Sequence, residues 1–278
     1  MSNSKKQKYD YHLPECVIGR PRTRIVCTLG PATDQVEIMC DLIRAGMSVA
    51  RLNLSHGDSE SHRNYVKDVR AAAEITGAPI GILADLPGPK YRSGDVDEGT
   101  IQLERGARLT LTASIVKTTV DRTTVWPAGI HDDVSVDSRI LIDEGAIELV
   151  VERVDGVDVL CRVTSPGALK SRKAVTTPGV TSTLDYLTNE TRSGLEFVKE
   201  NDVEFVGLSY VRNSIDLEQV KDCLKDSTYP HQLIAKIEVA EGVKNLKSIL
   251  DQVDGVMVAR GDLGVELPIE DVPGIQGE

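Results

Sequence analysis

Short apolar runs alternate with longer amphipathic stretches from Arg24 onwards. Each apolar run has the length of a β-strand, and the stretches between them carry apolar residues at helical spacing. This alternation is typical of a parallel α/β fold, because each parallel strand needs a crossover, usually a helix, before the next one. The runs predict six strands, at residues 25–29, 48–54, 80–85, 205–210, 233–238 and 255–259.

The helical stretches have recognisable ends. The first is predicted to start at Asp34, an N-cap with Glu37 three residues later, and to stop at Gly46. The second is predicted to start near Ser59 and to end at Gly77. We interpret their apolar stripes as core-facing surfaces rather than as a groove for a partner. Later helices are predicted to begin near Thr188, Ser214 and Glu241.

Between about residues 93 and 178 the helical pattern stops and alternation with a period of two replaces it. Residues 101–112 alternate in this way, and residues 150–163 fold about Asp155-Gly156, a strong hairpin signal. No convincing helix is visible in this segment. We therefore predict a small all-β insertion, which would lie as a lid over the carboxyl ends of the strands.

Charged residues follow the last two predicted strands. Lys236 and Glu238 end the fifth strand, and Asp262 follows the sixth. Glu238 and Asp262 are hard oxygen ligands suited to Mg2+. Lys236 alternates onto the same face as Glu238 and suits an anionic, phosphorylated substrate. The alternative is a pair of unrelated ion pairs at strand ends.

Earlier strand ends are also rich in polar groups. Arg51, Asn53 and Ser55 alternate onto one face and offer a guanidinium for phosphate and two oxygens for a cation. Each such residue also has a structural explanation, since Asn and Ser cap helices and Asp pairs with Arg. Their occurrence at successive strand ends favours one shared site. The later members of this set are Asp85, Lys90, Arg92, Ser209 and Arg212.

Composition narrows the class of protein. The chain has 278 residues, 40% of them hydrophobic and 27% charged, and its net charge of -11 argues against nucleic acid as the main partner. Five scattered cysteines without C-x-x-C spacing are typical of reduced core residues in a cytoplasmic protein. The polar N-terminus and the lack of long apolar runs predict a chain that is neither exported nor embedded in a membrane.

Six stretches together carry a resemblance to one family. They are VARLNLSHG (49–57), ADLPGPKYRSG (84–94), ILIDEGAI (140–147), LKSRKAV (169–175), AKIEVAEGV (235–243) and VMVARGDLGVELP (256–268). In this order they resemble pyruvate kinase, over most of the chain and including the β insertion. The resemblance implies a (β/α)8 barrel with a lid domain after the third strand. It also implies phosphoryl transfer between phosphoenolpyruvate and ADP, giving pyruvate and ATP in glycolysis.

The resemblance also implies the domain boundaries. These are an N-terminal tail at residues 1–20, a first barrel part at 21–92, the β lid at 93–178 and a second barrel part at 179–278. The chain stops just after the sixth barrel strand, so the seventh and eighth strands and the family's C-terminal allosteric domain are not in this sequence. We therefore expect a homo-oligomer or a second chain that completes the fold.

The family's roles transfer to matching positions. Lys236 would stabilise the charge of the phosphoryl group, while Glu238 and Asp262 would hold Mg2+ or Mn2+. Backbone N–H groups of Gly261 and Asp262 would bind the substrate carboxylate, because a helix should begin there. Arg51 and Ser209 would contact the phosphoryl group. The nucleotide would be bound by Asn53, His56, Arg92 and the lid residue Lys173.

One departure concerns a monovalent cation. Many relatives bind K+ at the positions of Asn53, Ser55, Asp85 and the Leu86 carbonyl, and they carry a glutamate where this chain has Lys90. The fixed ammonium would supply the missing charge, so the resemblance implies that K+ is not required.

Two other functions remain open from the sequence. One is a Mg2+-dependent lyase or aldolase acting on 2-oxo acids in a related barrel, which would have no use for a nucleotide lid. The other is an inactive, truncated homologue that acts as a binding partner. Ser171, Arg172 and Lys173 in the lid favour the kinase. His131, Asp132 and Asp133 are interpreted as a solvated loop rather than a metal site. His12, His62 and His231 indicate no site.

Overall fold

The computed structural model describes residues 23–97 and 99–278. The predicted N-terminal tail and His12 lie outside these residues. The protein is an α/β protein that contains sheet strands connected by helices and a closed β barrel. It divides into two compact units. One holds the described residues up to Leu52 with Asp58–Leu83, and the other holds Asn53–Gly57 with Ala84–Glu278.

The strands are β1 (Ile25–Thr28), β2 (Met47–Asn53), β3 (Gly81–Leu86), β4 (Tyr91–Ser93), β5 (Ile101–Leu103), β6 (Arg108–Thr112), β7 (Arg122–Trp126), β8 (Arg139–Ile142), β9 (Ile147–Asp155), β10 (Asp158–Ser165), β11 (Gly167–Leu169), β12 (Ala174–Thr176), β13 (Phe205–Leu208), β14 (Gln232–Ile237) and β15 (Gly255–Val258).

The helices are α1 (Val36–Arg44), α2 (Ser59–Thr76), α3 (Ile130–Asp133), α4 (Asn189–Asn201), α5 (Ser214–Leu224), α6 (Ala240–Lys244), α7 (Leu246–Leu250), α8 (Arg260–Glu266) and α9 (Val272–Gly277). Within the described residues, no helix is both long enough and apolar enough to cross a bilayer.

The first unit contains β1, β2, the start of β3 and the helices α1 and α2, in the strand order β1-β2-β3. β1 and β2 pair in parallel, with Cys27 opposite Ala50. Helix α2 starts as predicted, because Asp58 Oδ1 accepts a hydrogen bond from the Ser61 N–H at 2.8 Å. It ends at Gly77, whose φ of 65° is in the left-handed region that favours glycine.

The second unit contains the end of β3 and the strands β13, β14 and β15, in that order. β13, β14 and β15 pair in parallel, with Leu208 opposite Ala235 and Ala235 opposite Val256. Residues on both faces of β13 and β14 are buried, which explains the apolar runs in their sequences, whereas β15 has no fully buried residue. The buried positions include Val206, Leu208, Ala235 and Ile237.

The closed barrel lies in the segment between Tyr91 and Thr176, with the strand order β10-β6-β7-β4-β12-β8-β9. Its pairs are antiparallel except for β6 with β7, which is parallel. Closure leaves no free sheet edge. Six fully buried aliphatic side chains form the centre of its core: Leu109, Leu111, Ile140, Ile142, Ile147 and Leu149.

Some local predictions are wrong. Helix α1 begins at Val36, because Pro31–Thr33 forms a 3-10 turn that Asp34 ends, and Asp34 does not cap the helix. The β insertion contains helix α3, whose four residues are too few to produce a helical pattern. The predicted hairpin is present as β9 and β10, but its turn is Gly156-Val157, one residue later than expected.

The barrel core provides a stability prediction. Replacing Leu109, which is 0% exposed, with Ala leaves a cavity and should lower the free energy of unfolding by about 2–5 kcal/mol. Urea unfolding followed by the fluorescence of Trp126 measures this, because that residue is the single tryptophan and lies on β7 of the same barrel. Ile115→Ala, at a side chain 97% exposed, is the control and should change little. Equal effects of the two variants would contradict the packing described.

Candidate active site

A cluster of charged side chains is buried at the carboxyl ends of three strands of the second unit. Asp85 lies near the end of β3, Ser209 follows β13, and Lys236 lies near the end of β14 with Glu238 just beyond it. The exposed fraction is 2% for Asp85, 8% for Lys236 and 1% for Glu238. Charged groups are this deeply buried only when they are paired. The contacts of Lys236 therefore determine whether the cluster can be charged.

The Lys236 ammonium contacts three groups. Its Nζ lies 2.8 Å from Glu238 Oε1 and 3.2 Å from Asp85 Oδ1, and it donates to Ser209 Oγ at 2.8 Å. Burial acts to lower the pKa of Lys236, but the two carboxylates outweigh it and the pKa is raised. The side chain is therefore a fixed positive charge at neutral pH.

Glu238 uses both carboxylate oxygens. While Oε1 faces Lys236, Oε2 accepts a hydrogen bond from the Tyr210 N–H at 2.8 Å. Burial raises the pKa of Glu238 above its ordinary value, and the nearby charge of Asp262 adds to this shift, although Lys236 opposes it. A further cation beside Glu238 would favour its ionised form.

Asp262 lies on the first turn of α8 and its side chain is 40% exposed. Its Oδ1 accepts hydrogen bonds from Lys90 Nζ at 3.2 Å and from the Tyr210 hydroxyl at 3.0 Å. Lys90 also donates to the Tyr210 hydroxyl and lies 4.7 Å from the centre of the Tyr210 ring. Burial raises the pKa of the Tyr210 phenol, so the hydroxyl keeps its proton.

The predicted metal ligands fit a magnesium ion. Glu238 and Asp262 line the same small cavity, together with Lys90, Tyr210 and Glu266. Among residues 23–97 and 99–278, no three His, Cys, Asp or Glu side chains form a metal-ligand group. One or two carboxylates are the usual protein contribution to Mg2+ bound with waters and substrate phosphates, so this donor set suits that ion.

The residues predicted to bind the substrate carboxylate through their N–H groups lie at the start of a helix. Gly261 and Asp262 are in the first turn of α8, and no atom lies within 4 Å of the position that a Cβ of Gly261 would take. The backbone is therefore open to approach at this point.

Only some of the predicted nucleotide-binding residues meet in one cavity. A cavity of about 940 Å3 is lined by Ser55, His56, Lys90, Arg92 and, among others, Trp126. Asn53 and Lys173, the other two predicted nucleotide-binding residues, each have a partner of their own. Asn53 Oδ1 accepts from the Ser55 N–H at 3.2 Å, and Lys173 Nζ pairs with Asp143 Oδ1 at 2.9 Å.

The remaining predicted residues have local partners. Arg51 belongs to the first unit, where it donates to Thr28 Oγ1 at 2.8 Å. Of the predicted K+ ligands, Asp85 contacts Lys236 and accepts from Ser209 Oγ at 3.3 Å, and Leu86 is buried. Lys90 contacts Asp262 and the Tyr210 hydroxyl.

Two histidine-containing segments are structural. His131, Asp132 and Asp133 belong to helix α3 and not to a solvated loop, because Asp133 accepts from the Tyr91 hydroxyl at 2.6 Å and from Thr183. The ring of His231 lies 2.8 Å from the Val203 carbonyl and from Ser227 Oγ. These contacts account for Asp133 and His231 without a ligand.

Sequence reasoning missed two residues of the site. Tyr210 directly follows Ser209 at the end of a predicted strand. That position could have marked it as a site residue, but only Ser209 was assigned a role. Glu266 lies at the end of α8, four residues after Asp262, and lines the same cavity. Burial raises the pKa of Glu266 to about 7, although the Gly179 N–H and Lys90 oppose this shift.

Comparison with known proteins identifies what this chain resembles. The family model described as "Pyruvate kinase, barrel domain" matches residues 20–278. Pyruvate kinases of Geobacillus stearothermophilus and Bacillus licheniformis are each 42% identical, over 92% of this chain and 44% of each relative. The pyruvate kinase of Corynebacterium glutamicum is 41% identical, over 92% of this chain and 54% of that relative. The chain thus spans about half the length of these curated relatives.

The raised pKa of Glu266 gives a prediction about pH. A carboxyl whose pKa is about 7 when folded and 4.5 as a free side chain stabilises the fold only while it is protonated. As the pH rises from about 5 to 8, the native chain should therefore lose about 2 kcal/mol of unfolding free energy relative to Glu266→Gln.

Urea unfolding at both pH values measures this difference. Glu270→Gln, which alters an exposed glutamate of the same segment, is the matched control and should follow the native chain. If Glu266→Gln also followed the native chain across this range, the carboxyl would not be titrating as described.

Proposed function

Because this chain belongs to the pyruvate kinase family, we propose that its site transfers a phosphoryl group from phosphoenolpyruvate to ADP, forming pyruvate and ATP in glycolysis. The observation that carries the proposal is the buried Lys236 ammonium, which contacts Asp85, Glu238 and Ser209 at the strand ends. The relatives that carry the name of this activity are about twice as long as this chain, so the activity is a proposal here.

Lys236 is the proposed catalytic residue. Its ammonium is held by Asp85 and Glu238 and needs no reorganisation when negative charge passes between donor and acceptor oxygens. Arg51 and Ser209 are proposed to bind the phosphoryl group. The Ser209 hydroxyl already accepts a hydrogen bond from Lys236, which supports a position next to that group.

Glu238 and Asp262 are proposed to hold the divalent cation, Mg2+ or Mn2+. The bound ion would act as a Lewis acid and template for the phosphoryl and enolate oxygens. The N–H groups of Gly261 and Asp262 are proposed to bind the substrate carboxylate, and the open space beside Gly261 supports this role.

The large cavity is proposed as the nucleotide site. His56 and Arg92 line it and are proposed to bind the phosphates of ADP, with Asn53 nearby in the chain. Lys173 would join them only after leaving Asp143. We therefore propose that the inserted domain, residues 93–178, acts as a lid, and that closing it brings the lysine to the nucleotide and excludes water.

The finer aspects of fold and setting are proposed from the family. These are a (β/α)8-type barrel to which residues 21–92 and 179–278 contribute, and a cytoplasmic enzyme that acts as a homo-oligomer or together with a second chain. The net charge of -11 argues against nucleic acid as a partner, so the small anionic ligands would have to be held by local cations. No membrane partner is proposed.

A direct assay tests the proposed reaction. Pyruvate formation from phosphoenolpyruvate and ADP with Mg2+ should occur with the chain and should fall on the order of a hundredfold or more in Lys236→Met, because a charge that stabilises the transition state is lost. Lys199→Met, which breaks a peripheral pair with Glu196, is the control and should retain the native rate.

Binding separates the alternatives if turnover is absent. A folded chain that binds phosphoenolpyruvate with Mg2+ but forms no pyruvate would require a completing segment. A folded chain that binds neither phosphoenolpyruvate nor ADP would contradict the proposal and favour an inactive homologue.

We also propose that K+ is not required, because Lys90 stands where K+-binding relatives carry a glutamate and its ammonium would supply the missing charge. Lys90 lines the same cavity as Ser55, one of the predicted K+ ligands, which supports this proposal. Turnover should be the same with K+ as with tetramethylammonium at equal ionic strength. In Lys90→Glu that ammonium is lost, and we expect turnover to fall and K+ to restore part of it. Strong activation of the native chain by K+ would contradict this prediction.

A further inference from the structure

The two proposed metal ligands share one neighbour, Tyr210. Its backbone N–H donates to Glu238 Oε2 at 2.8 Å, and its hydroxyl donates to Asp262 Oδ1 at 3.0 Å. One residue thus fixes one oxygen of each carboxylate. Its main-chain N–H contacts Glu238, which follows β14, and its hydroxyl contacts Asp262, which lies on α8.

The backbone of Tyr210 adopts a conformation that costs energy. Its φ is 56°, in the left-handed region that a bulky aromatic residue rarely occupies. Such a conformation persists when surrounding contacts determine it, and it is found most often at functional sites. Here it accompanies a main-chain contact and a side-chain contact that reach different ligands of the same site.

Lys90 contacts the same group from another side. Its Nζ donates to the Tyr210 hydroxyl and to Asp262 Oδ1, the latter at 3.2 Å, and its side chain is only 18% exposed. Within the described part of the chain, every hydrogen bond and ion pair recorded for the Asp262 carboxylate involves Oδ1. The other oxygen, Oδ2, is thereby available for a different partner.

We propose that Tyr210 is a positioning residue for the divalent cation and that Lys90 is a resident charge opposing the same ion. The phenol holds Asp262 through Oδ1, which would leave Oδ2 to bind the metal together with Glu238. The ammonium neutralises Asp262 before the metal arrives and repels the metal afterwards. This inference rests on the proposed metal site, and it adds the residues that set how tightly that site binds.

The two neighbours act in opposite directions. A hydrogen bond that orients a ligating carboxylate increases metal affinity, and loss of such a partner weakens binding about 10- to 100-fold. A positive charge in contact with the same carboxylate decreases affinity, because like charges repel strongly where water is partly excluded. Removing the phenol and removing the ammonium should therefore shift affinity with opposite signs.

Titration with Mn2+ alone, with free Mn2+ measured by electron paramagnetic resonance, tests this without turnover. Tyr210→Phe keeps the ring and the N–H contact, and its dissociation constant for Mn2+ should rise about 10- to 100-fold. Lys90→Met should lower that constant severalfold. Asp262→Asn should remove most of the binding and so assign the bound ion to this site.

A matched control separates positioning from general stability. Tyr229→Phe removes a hydroxyl that donates to Glu204 at 3.1 Å outside the site, and it should leave Mn2+ affinity unchanged. Mn2+ should also perturb the tyrosine absorbance of the native chain, and that perturbation should be lost in Tyr210→Phe but kept in Tyr229→Phe. A merely structural role would change unfolding without these effects.

The outcomes are distinct. Equal Mn2+ affinity of Tyr210→Phe and the native chain would overturn the role of the phenol and leave the proposed function standing. Weaker binding in Lys90→Met would overturn the opposing role of the ammonium. A native chain that bound no Mn2+ would overturn both this inference and the proposed metal site.

Discussion

The site depends on the position of one ammonium group between two buried carboxylates. Lys236 lies 2.8 Å from Glu238 and 3.2 Å from Asp85, and neither acid is exposed enough to be solvated. Removing one member of such a buried ionic cluster leaves an uncompensated charge, which typically costs about 3–5 kcal/mol. The same arrangement that is demanding for stability keeps a positive charge fixed where a phosphoryl group would pass.

The repetitive part of the fold could be predicted from the sequence. Runs such as residues 205–208 and 233–235 are apolar because their strands are buried on both faces, and polar residues follow them where the sheet edge opens. Helix ends were predictable where a side chain caps the backbone, as at Thr188 and Asn213, which accept hydrogen bonds from N–H groups of the first turns of α4 and α5. Asp34 failed because Pro31 starts a separate turn before α1.

The charged residues that meet at the strand ends were also predictable, but the contacts that link them to their neighbours were not. Lys236, Glu238 and Asp262 stand out as charges directly after apolar runs. Tyr210 and Lys90 do not, because their importance comes from a left-handed backbone conformation and from a contact between residues 172 positions apart. Periodicity reports which face of an element is buried, and it carries no information about which distant groups meet there.

The position of the closed barrel within the chain has a consequence for the order of folding. Its longest strands, β9 and β10, are neighbours in sequence, so they can pair soon after both are synthesised. Asp85 meets Ser209 across 124 residues and meets its counter-charge on Lys236 only later still. A nascent chain can therefore complete the barrel before Asp85 meets Lys236. The ionic cluster then becomes a late contact, whose burial must wait until β14 has been made.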